Sequence, residues 1–533
     1  MQDLSDVTAI YATYQLTCSA DEVEGLGKEI AFEQTVEVSP HLVASQTILE
    51  EVVGRVENVE PHPNRSSFLV TIRYQPHLAG KQIPQLLNLI YGNVSMKART
   101  RLVDLRLPED FLNAFPGPRF GIEGLRNLLG VQERPLLATA LKPRGSSNAE
   151  LASLAHEFAL GGGDLVKDDH NLIDDDLAQF EQRVLQCSQA VQKASEKTGR
   201  PCLYLPNLIL PTEQLEPAIE YLLNHGIQGA LVSPFVIGLD TVRALAKKYP
   251  LFLMGHPTFS GALFHDGTHG IDPGLILGTL FRLIGVDASI FPNAGGRFSF
   301  SAEECMEITL RSREPLGAIK PAFPTPAGGM RLDNIPEMAD QFGSDAIYLI
   351  GSALLSHSGD LVQSTRIYLD RIEEYFASRI VPPATPAASS CELPKTARLP
   401  VVGNQVQYLP FQSSYQWEGR EPAQYKKSAE IPFQDVTRHE LIGQRGEKAA
   451  FDLRYFEIAP EGFSSLEKHV HTHTIIGVRG TGTLLCGEKQ FPIRPMDVAY
   501  IPPLQVHQLQ NASSEPFGFF CIVDHDRDRP VPA

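Results

Sequence analysis

The segment PLLATALKPRGSSNAELASLAHEFALGGGDLVKDDH (135–170) contains the repeating unit from which we interpret this chain. A short apolar run leads into a helical pattern, which ends at glycines and is followed by the next apolar run. The pattern continues to about residue 379 and has eight apolar runs: PLLATALK (135–142), GDLVKDD (163–169), CLYLPN (202–207), GALVSP (229–234), LFLMGH (251–256), DASIFPN (287–293), GAIKPA (317–322) and DAIYLIGS (345–352). Eight alternating strand–helix units predict an α/β fold of the (β/α)8 barrel type, with a doubly wound open sheet as the structural alternative.

Different patterns flank the repeat, and they predict four regions in the 533 residues. Residues 1–117 mix alternating β stretches with short helices, as in a small α+β domain. The barrel then occupies 118–379. Residues 380–430 begin with the Pro/Ala/Ser-rich IVPPATPAASS and are predicted to be a linker. The fourth region is 431–533, in which Phe451 to Asp524 consists of short β runs separated by Gly and Pro. This pattern predicts a small β-barrel or jelly roll.

The composition excludes several classes of protein. Hydrophobic residues make up 43% and charged residues 20%, which is typical of a folded globular chain. The net charge of −17 argues against partners such as nucleic acid or anionic membranes, which require a basic surface. We find no signal-peptide design at the N-terminus and no apolar run long enough for a membrane span. Seven dispersed cysteines favour reduced thiols, so we expect a soluble cytoplasmic protein.

Polar residues and glycines collect where the predicted barrel strands end, which is where barrel enzymes carry their functional groups. Any one of them could equally be a solvated charge or a helix N-cap, but the set as a whole predicts a site. Glycine-rich turns at this end expose N–H groups that can hold a phosphate. The strand-end residues are Lys142, with Arg144 after it, Lys167, Asp168, Asp169, His170, Asn207, His256, Asn293 and Lys320, followed by Gly328, Gly329, Gly351 and Ser352.

Residues 9 to 375 resemble the RuBisCO large chains and the RuBisCO-like proteins. The resemblance rests on several long stretches that occur in the right order. They are GNVSMK (92–97), FPGPRFGIEGLRNLLGVQERPLLATALKPRG (115–145), GGGDLVKDDH (161–170), PAGGM (326–330) and IGSALLSH (350–357).

The resemblance implies roles for individual residues. Lys167 takes the place of the lysine that becomes carbamylated, and Asp169 that of a Mg2+-binding carboxylate. Lys142 corresponds to the acid/base of enolisation. Asn93 and Glu33 correspond to residues that reach the partner subunit's site, which implies a homodimer or a higher homo-oligomer. A carbamate and a carboxylate supply the oxygen ligands that Mg2+ prefers, and the metal stabilises an enediolate.

The remaining candidates complete the site that the resemblance implies. His170, His256 and Arg297 join the lysines and Asp169 as catalytic candidates, and His170 also joins the Mg2+ ligands. The candidates for binding substrate or phosphate are Arg144, Asn93, Glu33, Gly328, Gly329, Gly351 and Ser352.

The departures from the carboxylases argue against CO2 fixation. His170 stands where the carboxylases have a glutamate ligand, and nitrogen suits Mg2+ poorly. Ser260 and Pro257 replace a histidine and a phosphate-binding arginine. Arg297 replaces the mobile-loop lysine, and its planar guanidinium group would instead bind a phosphate or carboxylate through two hydrogen bonds. The resemblance therefore implies a RuBisCO-like protein rather than a carboxylase.

The C-terminal segment GFSSLEKHVHTHTIIGVRGTG (462–482) predicts a metal site. Glu467, His469, His471 and His473 alternate, so in one strand they share a face. His507 lies on a later run, and the two segments resemble the two cupin motifs, with His473 standing where the usual glutamate is expected. Such a set suits one transition metal, Mn, Fe, Ni or Zn. Cys521 is either a buried core thiol or a nucleophile that handles sulfur.

Four functional hypotheses follow. In the first, the barrel isomerises 5-methylthioribulose 1-phosphate, and the cupin removes the methylthio group from the product. In the second, the barrel decarboxylates a 3-oxo sugar-acid phosphate. The third is the enolase of methionine salvage, ranked lower because those enzymes keep glutamate where His170 stands. The fourth treats the cupin as a sensing or oligomerising module on a non-catalytic barrel, against which stands the joint retention of Lys142, Lys167 and Asp169.

Overall fold

The architecture is described from a computed structural model. The described residues are 7–62, 67–377, 409, 411–412, 415–417, 422–424, 433–443, 451–469, 471–487, 489–502, 504–524 and 531–532. They form two compact units, 7–377 and 409–532. Most of the predicted linker 380–430, including 380–390, lies outside the described residues. Across the described parts of the chain, every helix is too short or too polar for a membrane span.

The N-terminal part of the first unit is a mostly antiparallel sheet with helices. Its strands are β1 (Ile10–Leu16), β2 (Arg55–Pro61), β3 (Phe68–Tyr74) and β4 (Thr100–Arg106). The short strand β10 (Gly270–Ile271), from the barrel part of the sequence, joins β4 in parallel, and the order is β10-β4-β1-β3-β2. The helices here are Val23–Glu33, Gln46–Glu51, Ile83–Tyr91 and Glu109–Leu112.

Eight parallel strands then form one sheet, which confirms the predicted barrel. They are β5 (Leu136–Leu141), β6 (Leu165–Asp168), β7 (Leu203–Leu205), β8 (Gly229–Val232), β9 (Phe252–Gly255), β11 (Ala288–Pro292), β12 (Phe323–Ala327) and β13 (Ile347–Leu349). The order is β7-β6-β5-β13-β12-β11-β9-β8. The ends β7 and β8 meet just beyond β7, where Leu208 N donates to Leu231 O at 2.9 Å and Leu231 N donates to Pro206 O at 2.9 Å.

Helices connect the barrel strands and begin at residues suited to capping. Ser147 and Glu150 form a capping box at one start, and the Asp176 side chain caps another. The helices are Gly121–Leu129, Asn148–Leu160, Leu177–Thr198, Thr212–Asn224, Pro234–Ile237, Leu239–Lys248, the π-helical Leu275–Leu280 with Phe281–Leu283, Ala302–Arg313, Ile335–Phe342, Ser352–Leu355 and Leu361–Ala377.

The seventh strand is not where the sequence predicted it. GAIKPA (317–322) precedes the strand, which is Phe323–Ala327. Pro324 and Pro326 of this strand have no N–H, so in the sequence they look like the end of a strand. At both positions an N–H would point towards β13, where few hydrogen bonds are needed. Phe323 N donates to Asp287 O on the β11 side, and pairing with β13 is confined to Ala327 and Leu349. Lys320 therefore lies before the strand, where its Nζ donates to Arg119 O at 2.7 Å, and the prediction that it ends a strand was wrong.

The second unit is antiparallel β structure of the kind predicted. Its longer strands are β17 (Gln434–Ile442), β18 (Phe451–Phe463), β20 (His473–Arg479), β21 (Gly482–Cys486), β22 (Lys489–Ile493), β23 (Val498–Ile501), β24 (His507–Gln510) and β25 (Phe517–Asp524). The shorter ones are β14 (Phe411–Gln412), β15 (Gln416–Trp417), β16 (Ala423–Gln424), β19 (Glu467–Lys468) and β26 (Val531–Pro532). Because β16 pairs with β17, residues from the predicted linker contribute to this unit.

The histidine-rich segment is not one continuous strand. Strand β19 ends at Lys468 and β20 begins at His473, so the alternation that predicted a shared strand face is interrupted between them. His469 directly follows the end of β19, and His473 begins β20.

Candidate functional site

The alternation of side chains along the barrel strands shows which candidate residues point into the barrel. Leu136 and Ala138 on β5, Leu165 on β6, and Phe252 and Met254 on β9 belong to the core inside the barrel. Every second residue along a strand points to the same side. Lys142, Lys167 and His256 each lie an even number of residues after these core residues, and Asp169 lies two residues after Lys167. Four candidates therefore point inward at the carboxyl ends of their strands because they share parity with the core residues beneath them.

Three of these residues form a charged cluster. Lys142 Nζ lies 2.9 Å from Asp169 Oδ2. Lys167 is 3% exposed, and its Nζ donates to the carbonyl of Asp168 at 3.0 Å. Burial lowers the pKa of Lys167 to about 8, although the Asp169 charge opposes the shift. Burial acts to raise the pKa of Asp169, but hydrogen bonds from Lys142 and the Asn171 backbone, with both lysine charges, bring it down to about 2.

Two imidazoles lie beside the charged cluster. The His170 and His256 rings stack with centroids 4.0 Å apart, and His170 Nδ1 is 3.5 Å from Asp169 Oδ1. Burial, followed by the Lys167 charge, lowers the pKa of His256 to about 2. Burial also lowers the pKa of His170. Both rings are therefore neutral at physiological pH, with nitrogen lone pairs for a proton or a metal.

Asp168 has a structural role and faces away from the cluster. It forms an ion pair with buried Arg183, and it accepts hydrogen bonds from Tyr204 Oη at 2.8 Å and Asn207 N at 2.9 Å. The Asn207 amide in turn donates to the carbonyl of His170 at 3.2 Å, which holds the loop that carries this histidine. Sequence reasoning missed Arg183, because an arginine within a helical pattern gives no sign of burial.

The loops that follow β11 and β12 approach each other at two glycines. A Cβ on Gly329 would lie 3.2 Å from Gly296 N, and Gly328 and Gly329 have φ values of +85° and +70°. The contact brings the backbone beside Arg297 against the predicted phosphate-binding turn. Gly351 precedes the short helix Ser352–Leu355 at the end of the eighth strand.

The other predicted barrel residues lie apart from the cluster in this chain. Arg144 is exposed and makes no hydrogen bond or ion pair with the described residues. Asn93 Nδ2 donates to Glu33 Oε1 at 3.0 Å, so these two residues meet each other at the end of the helix Val23–Glu33. No recorded contact among the described residues joins this pair to the lysines.

In the second unit, His469, His473 and His507 form a buried group whose candidate ligand atoms all lie within 4.8 Å of one another. His469 Nδ1 donates to the carbonyl of His471 at 2.8 Å, and His507 Nδ1 donates to that of Gln505 at 2.8 Å. Each bond fixes the ring proton on Nδ1 and so the lone pair on Nε2, as in metal-binding histidines. Burial and the neighbouring imidazoles lower the pKa of His473, which keeps this ring neutral.

Two other polar residues of the histidine segment lie near this group. His471 stacks on His469 at 3.7 Å between centroids, and its Nε2 is 3.1 Å from His473 Nε2. It lies outside the group of three, although the sequence predicted it as a ligand. Glu467 is buried and accepts a hydrogen bond from Ser465 Oγ at 2.7 Å.

Cys521 is buried on β25, where Arg454 Nη2 donates to its Sγ at 3.3 Å.

Comparison with known proteins identifies both units. Residues 121–365 match the catalytic domain of the ribulose bisphosphate carboxylase large chain, and residues 454–523 match the cupin domain. The chain is 36% identical over 355 residues to ribulose bisphosphate carboxylase-like protein 1 of Rhodopseudomonas palustris, which covers 66% of this chain and 95% of that protein. The chain belongs to the RuBisCO large-chain family. It is a RuBisCO-like protein with a C-terminal cupin domain.

Two further relatives of this RuBisCO-like protein are named for their reactions. It is 37% identical over 360 residues to the 5-methylthioribulose-1-phosphate isomerase of Rhodospirillum rubrum, covering 67% of this chain and 94% of that enzyme. It is 33% identical over 359 residues to the 2,3-diketo-5-methylthiopentyl-1-phosphate enolase of Bacillus velezensis, covering 66% and 88%.

Solved structures agree with the family. The RuBisCO-like protein from Rhodopseudomonas palustris matches with a TM-score of 0.63 and 35% identity, over 69% of this chain and 98% of that one. A dimeric archaeal RuBisCO from Hyperthermus butylicus matches with a TM-score of 0.63 and 28% identity, over 69% and 91%.

Proposed function

We propose that the barrel of this RuBisCO-like protein is a non-carboxylating isomerase of a phosphorylated ketose, with 5-methylthioribulose 1-phosphate as its substrate. The observation that carries the proposal is the cluster of Lys142, Lys167 and Asp169 inside the barrel mouth. A relative 37% identical and named for this isomerisation supports the choice of substrate.

Isomerisation of a ketose needs a group that takes a proton from the carbon beside the carbonyl and returns it to the other carbon. Lys142 is the candidate because its side chain is 40% exposed and so reaches the mouth of the barrel. Asp169 positions the Lys142 side chain through the 2.9 Å ion pair, and Lys142 would take the substrate proton as the neutral amine and return it as the ammonium. The stacked neutral rings of His170 and His256 lie beside this pair and would donate N–H hydrogen bonds to the substrate oxygens.

The residues fit a divalent cation in the barrel. The lowered pKa of Lys167 leaves part of it as a neutral amine at physiological pH, the form that reacts with CO2 to give a carbamate. Carbamylated Lys167 and Asp169 would hold Mg2+ through oxygen, and His170 would add a nitrogen that Mn2+ or Fe2+ accepts more readily. A bound cation would supply charge stabilisation for the enediolate oxygens.

Backbone N–H groups around Gly328 and Gly329 are the proposed phosphate site. Arg297 lies in the loop that meets these glycines and would add a charged fork to the phosphate. Gly351, Ser352 and Arg144 are the further candidates for this subsite. Asn93 and Glu33 are proposed to complete the site of a partner subunit in a homodimer or larger homo-oligomer. The dimeric archaeal RuBisCO of similar fold supports this proposal.

The cupin is proposed to act on the product of the barrel by transferring its methylthio group to a thiol co-substrate. The thiolate sulfur bonds to the methylthio sulfur as the carbon–sulfur bond breaks, the carbon takes a proton, and a methyl disulfide is released. His469, His473 and His507 fit one transition metal, Mn, Fe, Ni or Zn. The buried Cys521, whose Sγ accepts a hydrogen bond from Arg454, supports sulfur chemistry in this unit. The presence of both units in one chain supports two consecutive steps.

The test is to incubate the full chain with 5-methylthioribulose 1-phosphate in D2O and to follow it by proton and phosphorus NMR. Isomerisation gives a new ketose phosphate that carries solvent deuterium. The enolase named for the Bacillus velezensis relative is the second candidate. It would instead act on 2,3-diketo-5-methylthiopentyl 1-phosphate, so offering each substrate separately distinguishes the two. A 3-oxo sugar-acid phosphate that loses CO2 would favour the decarboxylase.

A further inference from the structure

One row of side chains inside the cupin barrel contains an arginine. On adjacent strands, Arg454 of β18 pairs with Cys521 of β25, which pairs with Ile475 of β20. Ile475 and Cys521 belong to the barrel core, as does Phe456, two residues after Arg454. The Arg454 side chain therefore shares the inner face with these residues. Its guanidinium carbon lies 5.2 Å from the centre of the Phe456 ring.

Arg454 is buried and forms no ion pair with the described acidic residues. It is 9% exposed, and Glu440, its register partner on β17, forms an ion pair with Arg438 at 2.9 Å instead. Nη2 donates to Cys521 Sγ at 3.3 Å, whereas Nε is buried with no hydrogen-bond partner in the described structure. A buried guanidinium in this state destabilises the fold unless an anion accompanies it.

Arg454 also lies near the candidate metal ligands. His473 lies on β20 two residues before Ile475, so its side chain points to the same inner face. It is therefore the neighbouring inward-facing residue, next to the row that contains Arg454 and Cys521. Burial is the largest cause of the lowered pKa of His473, and the positive charge of Arg454 adds to it. An anion at Arg454 would therefore lie beside a metal at His469, His473 and His507.

We propose that Arg454 binds the phosphate group of the phosphorylated sugar that enters the cupin, and so positions this substrate beside the metal. The inference rests on the proposed function of the cupin and assigns its anion-binding residue. Phosphate fits because it presents several oxygens to a planar guanidinium that has an unused buried N–H. In the ligand-free protein, the same arginine lowers the stability of the cupin unit.

The single tryptophan of the chain allows a test confined to this unit. Trp417 is the only tryptophan among the 533 residues, and its ring centre lies 5.1 Å from that of Tyr455, the neighbour of Arg454. Thermal unfolding of the metal-loaded full chain, followed by Trp417 fluorescence, therefore reports on the cupin whatever phosphate does at the barrel. The probe is inorganic phosphate, compared with sodium chloride at matched ionic strength.

We expect phosphate to raise the wild-type midpoint by several degrees, because a ligand of the native state stabilises it. In Arg454→Met, we expect the midpoint without phosphate to exceed that of the wild type and the response to phosphate to disappear. Arg454→Lys, which keeps the charge and serves if Arg454→Met fails to fold, should keep less than half of the response. Arg494→Gln, an exposed arginine of the same unit, is the matched control and should keep all of it.

An unchanged phosphate response in Arg454→Met and Arg454→Lys would overturn the proposal, and so would a wild-type midpoint that phosphate does not move. This result is independent of the barrel reaction. A chain that fails to isomerise 5-methylthioribulose 1-phosphate but shows the Arg454-dependent response would refute the proposed substrate and leave the anion site in place.

Discussion

Lys142 Nζ and Asp169 Oδ2 form an ion pair at 2.9 Å between the ends of two neighbouring barrel strands. The same carboxylate is the proposed metal ligand, so Lys142 and a cation would share it. Under the proposed function, the pair would join the proton-transferring group to the cation that stabilises the enediolate. Lys142 and Asp169 directly follow Leu141 and Asp168, which are paired on adjacent strands.

The first prediction concerns Lys142. Lys142→Ala should abolish solvent-deuterium incorporation into 5-methylthioribulose 1-phosphate, with a loss of at least about 100-fold, because the proton carrier is gone. Phosphate binding should remain largely intact. Lys320→Ala is the matched control, since this exposed lysine lies before the seventh strand and binds the carbonyl of Arg119. Equal exchange by Lys142→Ala and the control would refute the assignment.

The second prediction concerns the buried charge of Lys167. Its folded-state pKa of about 8 lies below the ordinary lysine value, so the unfolded chain binds more protons between these values, and stability rises with pH across that window. Lys167→Met should remove this rise and stabilise the first unit at pH 7 by about 2 to 3 kcal/mol at most. Thermal unfolding followed by circular dichroism from about pH 7 to 10 measures both effects.

A stability profile of Lys167→Met that parallels the wild type across this range would contradict the buried charge. Lys193, on the helix Leu177–Thr198, offers an exposed lysine for the control substitution Lys193→Met. That variant should retain the wild-type dependence on pH.

The third prediction concerns the cupin metal. His507→Ala should lose most of the metal, because it removes one of three histidines whose ligand atoms lie within 4.8 Å of one another. His471→Ala should retain it, because His471 lies outside that group. Elemental analysis of the two purified variants decides the question. Equal metal content in both would refute the ligand set.

The fourth prediction is that the protein does not fix CO2 on ribulose bisphosphate. His170 stands in place of a glutamate ligand, and Arg297 in place of the mobile-loop lysine. Incubation with labelled CO2 and ribulose bisphosphate should give no acid-stable product above that of Lys167→Met. Labelled product formed by the wild type alone would contradict the assignment of a non-carboxylating enzyme.

The sequence predicted the barrel because its eight apolar runs are short, regularly spaced and separated by helices. It misplaced the seventh strand, because Pro324 and Pro326 look like a break when the neighbouring strands are unknown. The inward-pointing residues could be predicted from strand parity, and Lys142, Lys167 and Asp169 do meet. Their ion pair and the stacking of His170 on His256 depend on loop conformations that no periodicity encodes.

The sequence predicted that the cupin histidines form a cluster, but it attributed part of the cluster to one continuous strand. The alternating pattern suggested one strand, whereas the chain leaves strand geometry after Lys468 and returns to it at His473. Arg454 gave no signal, because an arginine in a β run usually faces solvent. Only the pairing of β18 with β25 reveals that it lies on the inner face beside Cys521.

The most direct test of the proposed two-step function is the fate of 5-methylthioribulose 1-phosphate in D2O that contains a small-molecule thiol, with the metal-loaded full chain and with His507→Ala. We predict that His507→Ala accumulates a deuterated ketose phosphate that keeps its methylthio signal, whereas the wild type converts the same substrate into a phosphosugar that has lost it. Substrate that remains unchanged and undeuterated with both proteins would contradict the account.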